Sequence, residues 1–199
     1  MSWNRCLQLP TAASAPRWLR LLCAALVWIC AVAMTPPAAA QNPELQGFEV
    51  TRGDDGVYLA FALEVELPRG VEDALHKGVP LYFVAQAELF RSRWYWRDKR
   101  ISVAERTWRL AFQPLTRKYR VIFFGGLNQS YDSLADALVA VSRLSSWRIA
   151  DGQALEDGGG HYLEFSYRLD TSLLPRPLQI GLGGQADWNL RVEKLQRID

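Results

Sequence analysis

Apolar and polar side chains alternate along several stretches of this 199-residue chain, and that alternation constrains the fold more than any other feature. Two runs show it most clearly, with apolar residues at every second position: Leu59, Phe61, Leu63 and Val65 in the first, and Leu163, Phe165, Tyr167 and Leu169 in the second. Successive side chains of a β-strand point to opposite faces of the sheet. The alternation therefore predicts strands that bury these residues on one face.

Other segments carry the same strand signal or the spacing of a short helix. A hairpin is predicted at residues 47–68, with its turn at residues 53–56. An antiparallel meander is predicted from strands at residues 81–96, 101–114 and 117–126, with turns near residues 98–100 and 114–116. A final strand is predicted at residues 187–195. Apolar spacing of three or four predicts helices at residues 69–80 and 131–147.

About seven short strands and two short helices, in a chain of this length, indicate one structural domain. We predict a mainly β fold, an antiparallel β-sandwich-like domain with two short helices. An α+β arrangement, with the helices covering one side of a sheet, is the alternative because periodicity does not decide between the two.

The amino terminus has the composition of a secretory signal peptide. Three arginines and no acidic residue precede Glu44, and a 14-residue apolar run at 21–34 leads to the small residues Ala38 and Ala40. We predict a signal peptide at residues 1–40, cleavage between Ala40 and Gln41, and a β-rich domain at residues 41–199. The protein is then exported to the periplasm; an uncleaved anchor in the inner membrane, facing the periplasm, is the alternative.

Cleavage at this position would change both the charge and the cysteine content. Removing the three arginines leaves 20 basic and 21 acidic residues, and all three cysteines lie before residue 31. The predicted mature chain has no disulfide, so its core alone must stabilise it. Its near-neutral bulk charge gives no reason to expect nucleic-acid binding, and only a local cluster of charges would favour an anionic partner.

Such a cluster occurs at residues 88–100, ELFRSRWYWRDKR, where aromatic rings alternate with basic side chains. If this segment were one strand, Arg91, Arg93, Arg97 and Lys99 would share a face, because the intervening aromatic residues would point the other way. Guanidinium groups pair well with phosphates and carboxylates, so we predict a binding face for an anionic partner here. The alternative is a charged edge strand whose arginines are solvated or paired across strands.

The opposite face of the same segment predicts a second kind of site. Trp94 and Trp96, together with Phe112 and Phe124 on the following strands, would line an apolar pocket for a small ligand or lipid. The chain would in that case be a ligand-carrying β protein, with a cavity between sheet and helix.

Catalysis and metal binding have little support in the sequence. The two histidines, His76 and His161, are both predicted to be surface residues, and the predicted mature chain lacks cysteine. A zinc site needs three or four converging ligands, and no nucleophile motif is present, so we predict no metal, no cofactor and no enzymatic activity. An envelope hydrolase that pairs one of these histidines with an acid and a serine remains the alternative.

Three motifs resemble a known family in order and spacing. ALHKGVPLYFVAQAELFRSRWYWRDK, YDSLADAL and LDTSLLPRPLQIGLGGQADWNLRVE are similar to sequences of the DUF4390 family, proteobacterial envelope proteins of unknown function. The resemblance covers residues 45–191 and implies an exported protein, but no catalytic residue. It also implies, through gene neighbourhood, a partner in the envelope or membrane such as a sensor histidine kinase. We therefore predict an interaction module.

Overall fold

The computed structural model describes residues 43–94, 97–123, 125–155, 160–174 and 188–198. The strands of these ranges are β1 (Glu44–Arg52), β2 (Gly56–Glu64), β3 (Leu81–Arg91), β4 (Lys99–Gln113), β5 (Lys118–Phe123), β6 (Asn128–Tyr131), β7 (Arg143–Asp151), β8 (His161–Leu169) and β9 (Arg191–Ile198). The α-helices are α1 (Arg69–His76) and α2 (Leu134–Ser142). Neither helix is long and apolar enough to cross a membrane.

The strands form two antiparallel sheets. The smaller sheet has the order β1-β2-β7, and the larger has the order β6-β5-β4-β3-β8-β9. This arrangement confirms the predicted mainly β, sandwich-like fold, including the first hairpin and the antiparallel meander of β3, β4 and β5. In the hairpin turn, the backbone N–H of Gly53 donates to the carbonyl of Gly56 at 2.8 Å.

The core lies between the two sheets, and Phe61 of β2 is at its centre. Its ring is 5.0 Å from Phe165 and 6.4 Å from Trp108, both on the larger sheet, and 6.3 Å from Trp147 on β7. The alternation predicted the buried faces correctly, because the apolar positions of β2 and β8 are all buried. Burial of these aromatic rings between the sheets thus contributes to the stability of the domain.

Several elements differ from the prediction in their boundaries or their presence. The long strand expected to reach residue 96 ends at Arg91, and the meander's first turn lies before Lys99 rather than near residues 98–100. The second helix ends at Ser142 instead of residue 147, and β7 follows at once, because its Trp147 and Ile149 become buried when it pairs with β2. Strand β6 was not predicted, and β9 begins at Arg191 rather than 187.

Helix α2 is held at both ends by side chains. Ser133 Oγ accepts a hydrogen bond from the backbone N–H of Asp136 at 3.1 Å, which makes Ser133 the N-cap. Near the other end, the hydroxyl of buried Tyr167 on β8 donates to the carbonyl of Val141 at 3.2 Å. Tyr167 therefore links the larger sheet to the helix.

Candidate functional site

The segment between β3 and β4, residues 92–98, is called the β3–β4 loop below. It follows the last pair of the β3–β4 ladder, Arg91 opposite Lys99. Both flanking strands lie inside the six-stranded sheet, so neither forms an edge. The edge-strand interpretation of the basic cluster is therefore wrong, since these side chains protect no unpaired strand.

The described residues of the loop are tied to β8 by backbone and side-chain hydrogen bonds. The N–H of Ser92 donates to the carbonyl of Gly160 at 2.9 Å. Asp98 closes the loop, because one carboxylate oxygen accepts from the backbone N–H of Arg93 at 3.0 Å and the other from the hydroxyl of Tyr162 at 2.8 Å. The loop is thus attached near both ends, to Gly160 just before β8 and to Tyr162 within it.

These contacts shift the pKa of both side chains. The N–H of Arg93, followed by the Tyr162 hydroxyl, lowers the pKa of Asp98 below its ordinary value. Burial, followed by the hydrogen bond to Asp98, raises the pKa of Tyr162 to about 12. At neutral pH, therefore, Asp98 is a carboxylate and Tyr162 a neutral donor, which is the pairing that the closed loop needs.

In the described part of the loop, Trp94 exposes 93% of its surface. Arg93, Arg97 and Lys99 beside it are also exposed. A large ring held in solvent among cations is unusual, because tryptophan normally buries most of its area.

The outer face of the larger sheet continues this basic surface. Its last row across four strands consists of Arg100, Phe90, Tyr162 and Arg197. Phe90 and Tyr162 stack with ring centroids 5.2 Å apart, while Arg100 has a side chain 60% exposed and bonds Glu88 at 3.3 Å. Arg197 was missed from the sequence because only the β8–β9 register brings it to this row.

We use the name basic loop surface for Arg93, Trp94, Arg97, Lys99, Arg100 and Arg197. Its one acidic neighbour within the loop, Asp98, has both oxygens occupied by the contacts above. The next row of the sheet carries Glu88 and Glu164, which lie directly opposite each other. This acidic row separates the basic side chains at the loop end from those further along the sheet, such as Arg168 and Arg191.

Arg91 shares a face with Lys99, as predicted, because the two residues lie directly opposite each other in the β3–β4 ladder. Arg91 is the last residue of β3 and pairs with His161, on the same side as the buried residues Leu89 and Leu163. Strand β3 ends at Arg91, so strand alternation does not relate Arg91 to Arg93 or Arg97. Arg93, Arg97 and Lys99 are all exposed, whereas Arg91 is half-buried at the end of the core.

The predicted apolar pocket is not formed by its described members. Trp94 is on the surface, whereas Phe112 lies near the far end of β4, roughly 40 Å away by strand length. There the Phe112 ring packs against His76 and Tyr119, with centroids 5.1 Å from each. Trp96 and Phe124 lie outside the described residues, as do Ala40 and Gln41 of the predicted cleavage site.

A cleft of about 650 Å³ does lie between α2 and the chain that leaves β2. Its apolar lining includes Leu67, Leu134 and Val139, but Glu64 and Glu66 line it as well. Neither Trp94 nor Phe112, the two described aromatic residues predicted for the pocket, lines this cleft. A carboxylate-lined cleft open to solvent is a poor container for a lipid, because a carrier must remove its ligand from water.

The two histidines differ in their surroundings. His76 is exposed, as predicted, and its Nε2 lies 2.8 Å from the hydroxyl of Tyr119. His161 is only 6% exposed, so the prediction of a surface histidine is wrong there; it begins β8 and pairs with Ile198 of β9 as well as with β3. In the described part of the chain, no three metal-ligating side chains converge.

Fold and site together define an antiparallel two-sheet protein that displays a basic, tryptophan-bearing loop. Residues 40–198 match the family model of DUF4390, a domain of unknown function. The chain belongs to the DUF4390 family, as its motifs predicted. No curated protein and no solved structure matches it.

Proposed function

We propose that this protein is an exported binding module of the cell envelope, and that the basic loop surface binds an anionic partner. It acts by binding rather than by catalysis. The observation that carries the proposal is the combination of exposed Trp94 with exposed Arg93 and Arg97 on a loop tied to the sheet. Tryptophan and arginine are the residues that contribute most to binding energy at interfaces.

The way in which the loop is held supports the same function. Hydrogen bonds from Arg93 and Tyr162 to Asp98 fix its closed form before any partner arrives. Less conformational entropy is then lost on binding. A partner from the envelope or membrane, such as the sensor histidine kinase that the family resemblance suggests, would have to present an acidic surface to this loop.

Crosslinked recovery of partners from the envelope tests the proposal. The loop variant carries Arg93→Gln, Arg97→Gln and Lys99→Gln, which removes charge from exposed side chains only. Arg91 is left intact because it lies at the end of the core. A matched control removes three exposed charges elsewhere, by Arg52→Gln, Arg109→Gln and Arg117→Gln.

We expect the loop variant to lose a partner that the wild type and the control both retain. The melting temperature of the loop variant should equal that of the wild type. If all three proteins recover the same partners, the basic loop surface is ordinary solvated surface and the proposal fails. Sequencing the amino terminus of the purified wild-type protein tests the export part, since a first residue of Gln41 is expected.

A further inference from the structure

We propose that two copies of this chain associate by antiparallel pairing of their β9 strands, which joins the two six-stranded sheets into one continuous sheet. The pairing is centred on Leu195, so that this residue lies opposite Leu195 of the second copy. The inference is independent of the proposed function, because the occupant of this edge is the same chain and not the anionic partner.

The free edge of β9 lacks the features that usually prevent strands from pairing between molecules. Proteins protect outer strands by making them short, by interrupting them with bulges or by adding proline. Of the outer strands in the described sheets, β6 has only four residues, and register shifts interrupt the ladders that β1 and β7 form with β2. Strand β9 instead has eight residues, no proline and one unbroken register with β8. Its regular backbone can therefore accept a further strand without distortion.

The residues of this edge are open to solvent. Every residue from Glu193 to Arg197 is exposed, and no described strand pairs with the side of β9 that faces away from β8. Leu195 is 59% exposed on the outer face of the sheet, opposite Glu164 of β8. Pairing would remove part of this apolar side chain from water and give the backbone groups along the edge hydrogen-bond partners.

The sequence of β9 is complementary to itself in this register, which identifies the occupant as a second copy. In an antiparallel pair centred on Leu195, Val192 lies opposite Ile198, Glu193 opposite Arg197, and Lys194 opposite Gln196. Two-fold symmetry makes each of these contacts twice. Two ion pairs therefore flank the two leucines on the outer face, and the half-buried Val192 and Ile198 meet on the inner face.

Neighbouring registers are less favourable. Centring the pair on Lys194 would place two lysines opposite each other and Arg191 opposite Arg197, and like charges in directly opposite positions are destabilising. Centring it on Gln196 would place Leu195 opposite Arg197 and would form no ion pair among residues 191–198. Charges on an edge otherwise discourage pairing, but the charges of β9 are mixed in sign and select one register.

Glu193 remains available to Arg197 of the second copy. Within its own chain Glu193 bonds Arg191, and the two side chains are 62% and 55% exposed. An ion pair this exposed contributes little to stability. A carboxylate can also accept from two guanidinium groups, because it has two oxygens.

Sedimentation equilibrium tests the inference on the protein purified from the envelope in its native form. We expect a reversible dimer whose fraction rises with protein concentration. Glu193→Arg and Arg197→Glu should each weaken dimerisation about tenfold, because each turns two attractive pairs into repulsive ones. Carried together in one chain, the two substitutions exchange the charges and should restore the wild-type affinity. An equimolar mixture of the two single variants should likewise form heterodimers.

Glu49→Arg is the matched control for charge reversal. Glu49 is exposed on β1, an outer strand of the smaller sheet. Its substitution should leave dimerisation unchanged, because the proposed interface uses only the β9 edge.

A cysteine at the centre of the interface provides an independent readout. Directly opposite residues of antiparallel strands have Cα atoms about 4.5–5.5 Å apart, within the range of roughly 4.4–6.8 Å that a disulfide spans. Mild oxidation should therefore link two copies of Leu195→Cys. Leu115→Cys, in the exposed turn between β4 and β5, is the control for random collision and should remain largely unlinked. The wild type shows any crosslinking by the native cysteines, all of which lie before residue 31.

A wild-type protein that stays monomeric at every concentration would overturn the inference. A dimer that neither single charge reversal weakens, or that the double exchange fails to restore, would place the interface elsewhere and also overturn it. The same holds if Leu115→Cys is linked as readily as Leu195→Cys. None of these outcomes affects the proposed function, which the recovery of partners by the loop variant tests separately.

Discussion

Replacement of Phe61 by alanine tests whether the two sheets share one core. The side chain is 3% exposed, and its ring lies within 6.4 Å of four other aromatic rings: Trp108, Trp147, Phe165 and Tyr167. Three of the four belong to the larger sheet, whereas Phe61 belongs to the smaller one. The substitution therefore removes contacts across the interface between the sheets.

The expected cost is at the upper end of the range for core truncations. Phe→Ala substitutions at buried sites lower the free energy of unfolding by about 3–5 kcal/mol, because lost burial and the remaining cavity both contribute. In a domain of roughly 150 residues or more, this corresponds to a melting temperature lower by roughly 6–20 °C. A domain stable by about 5–15 kcal/mol would remain folded in most of this range.

Urea denaturation followed by tryptophan fluorescence measures the effect. Val103→Ala is the control, because Val103 lies on β4 with 49% of its surface exposed and should cost less than about 1 kcal/mol. If Phe61→Ala costs no more than Val103→Ala, the ring does not connect the sheets and the sandwich core is wrong. An altered urea slope would show instead that the smaller sheet unfolds separately.

Three smaller effects follow from single contacts. Tyr167→Phe should cost about 1–2 kcal/mol in urea denaturation, because it leaves the Val141 carbonyl without its buried donor. Ser133→Ala should cost about 1 kcal/mol through the lost N-cap of α2, and Ser133→Asp should restore most of it. The pKa of Tyr162 is raised to about 12 in the folded protein, whereas an unfolded tyrosine titrates near 10. The resulting contribution to the stability of the fold is complete below pH 10 and is lost as the pH rises through about 12. Alkaline titration of phenolate absorbance should therefore lose one phenol that titrates near pH 12 in Tyr162→Phe, and the loss of one that titrates near pH 10 would contradict the burial of Tyr162 and its hydrogen bond to Asp98.

Strand alternation predicted the buried faces because that signal is local. Phe61 and Phe165 were both placed in the core from their neighbours alone, and both are buried. The helical spacing around Leu138 was also read correctly, but it continues past Ser142, where pairing with β2 overrides it. Propensity cannot indicate that a helix will give way to a strand when the partner is some 80 residues earlier in the chain.

The candidate site was predicted in part for the same reason. The composition of residues 91–100 indicated a basic and aromatic surface, and Arg93, Arg97 and Lys99 are exposed. The position of the turn depends on where the β3–β4 ladder ends, and that end is fixed by pairing rather than by residue type. Arg91 and Trp94 were consequently assigned to the wrong surroundings.

Because β3 and β4 are interior strands of the larger sheet, the basic residues of the loop between them do not serve to protect a sheet edge. Edge strands carry lysine and arginine to discourage pairing with other chains, but the outer strands of this sheet are β6 and β9. Cross-strand pairing accounts for Arg100, which bonds Glu88, but Asp98 accepts from the backbone N–H of Arg93 and from the phenol of Tyr162. Edge protection therefore does not explain the exposure of Arg93, Trp94 and Arg97, and this is the reason for proposing that they bind an anionic partner.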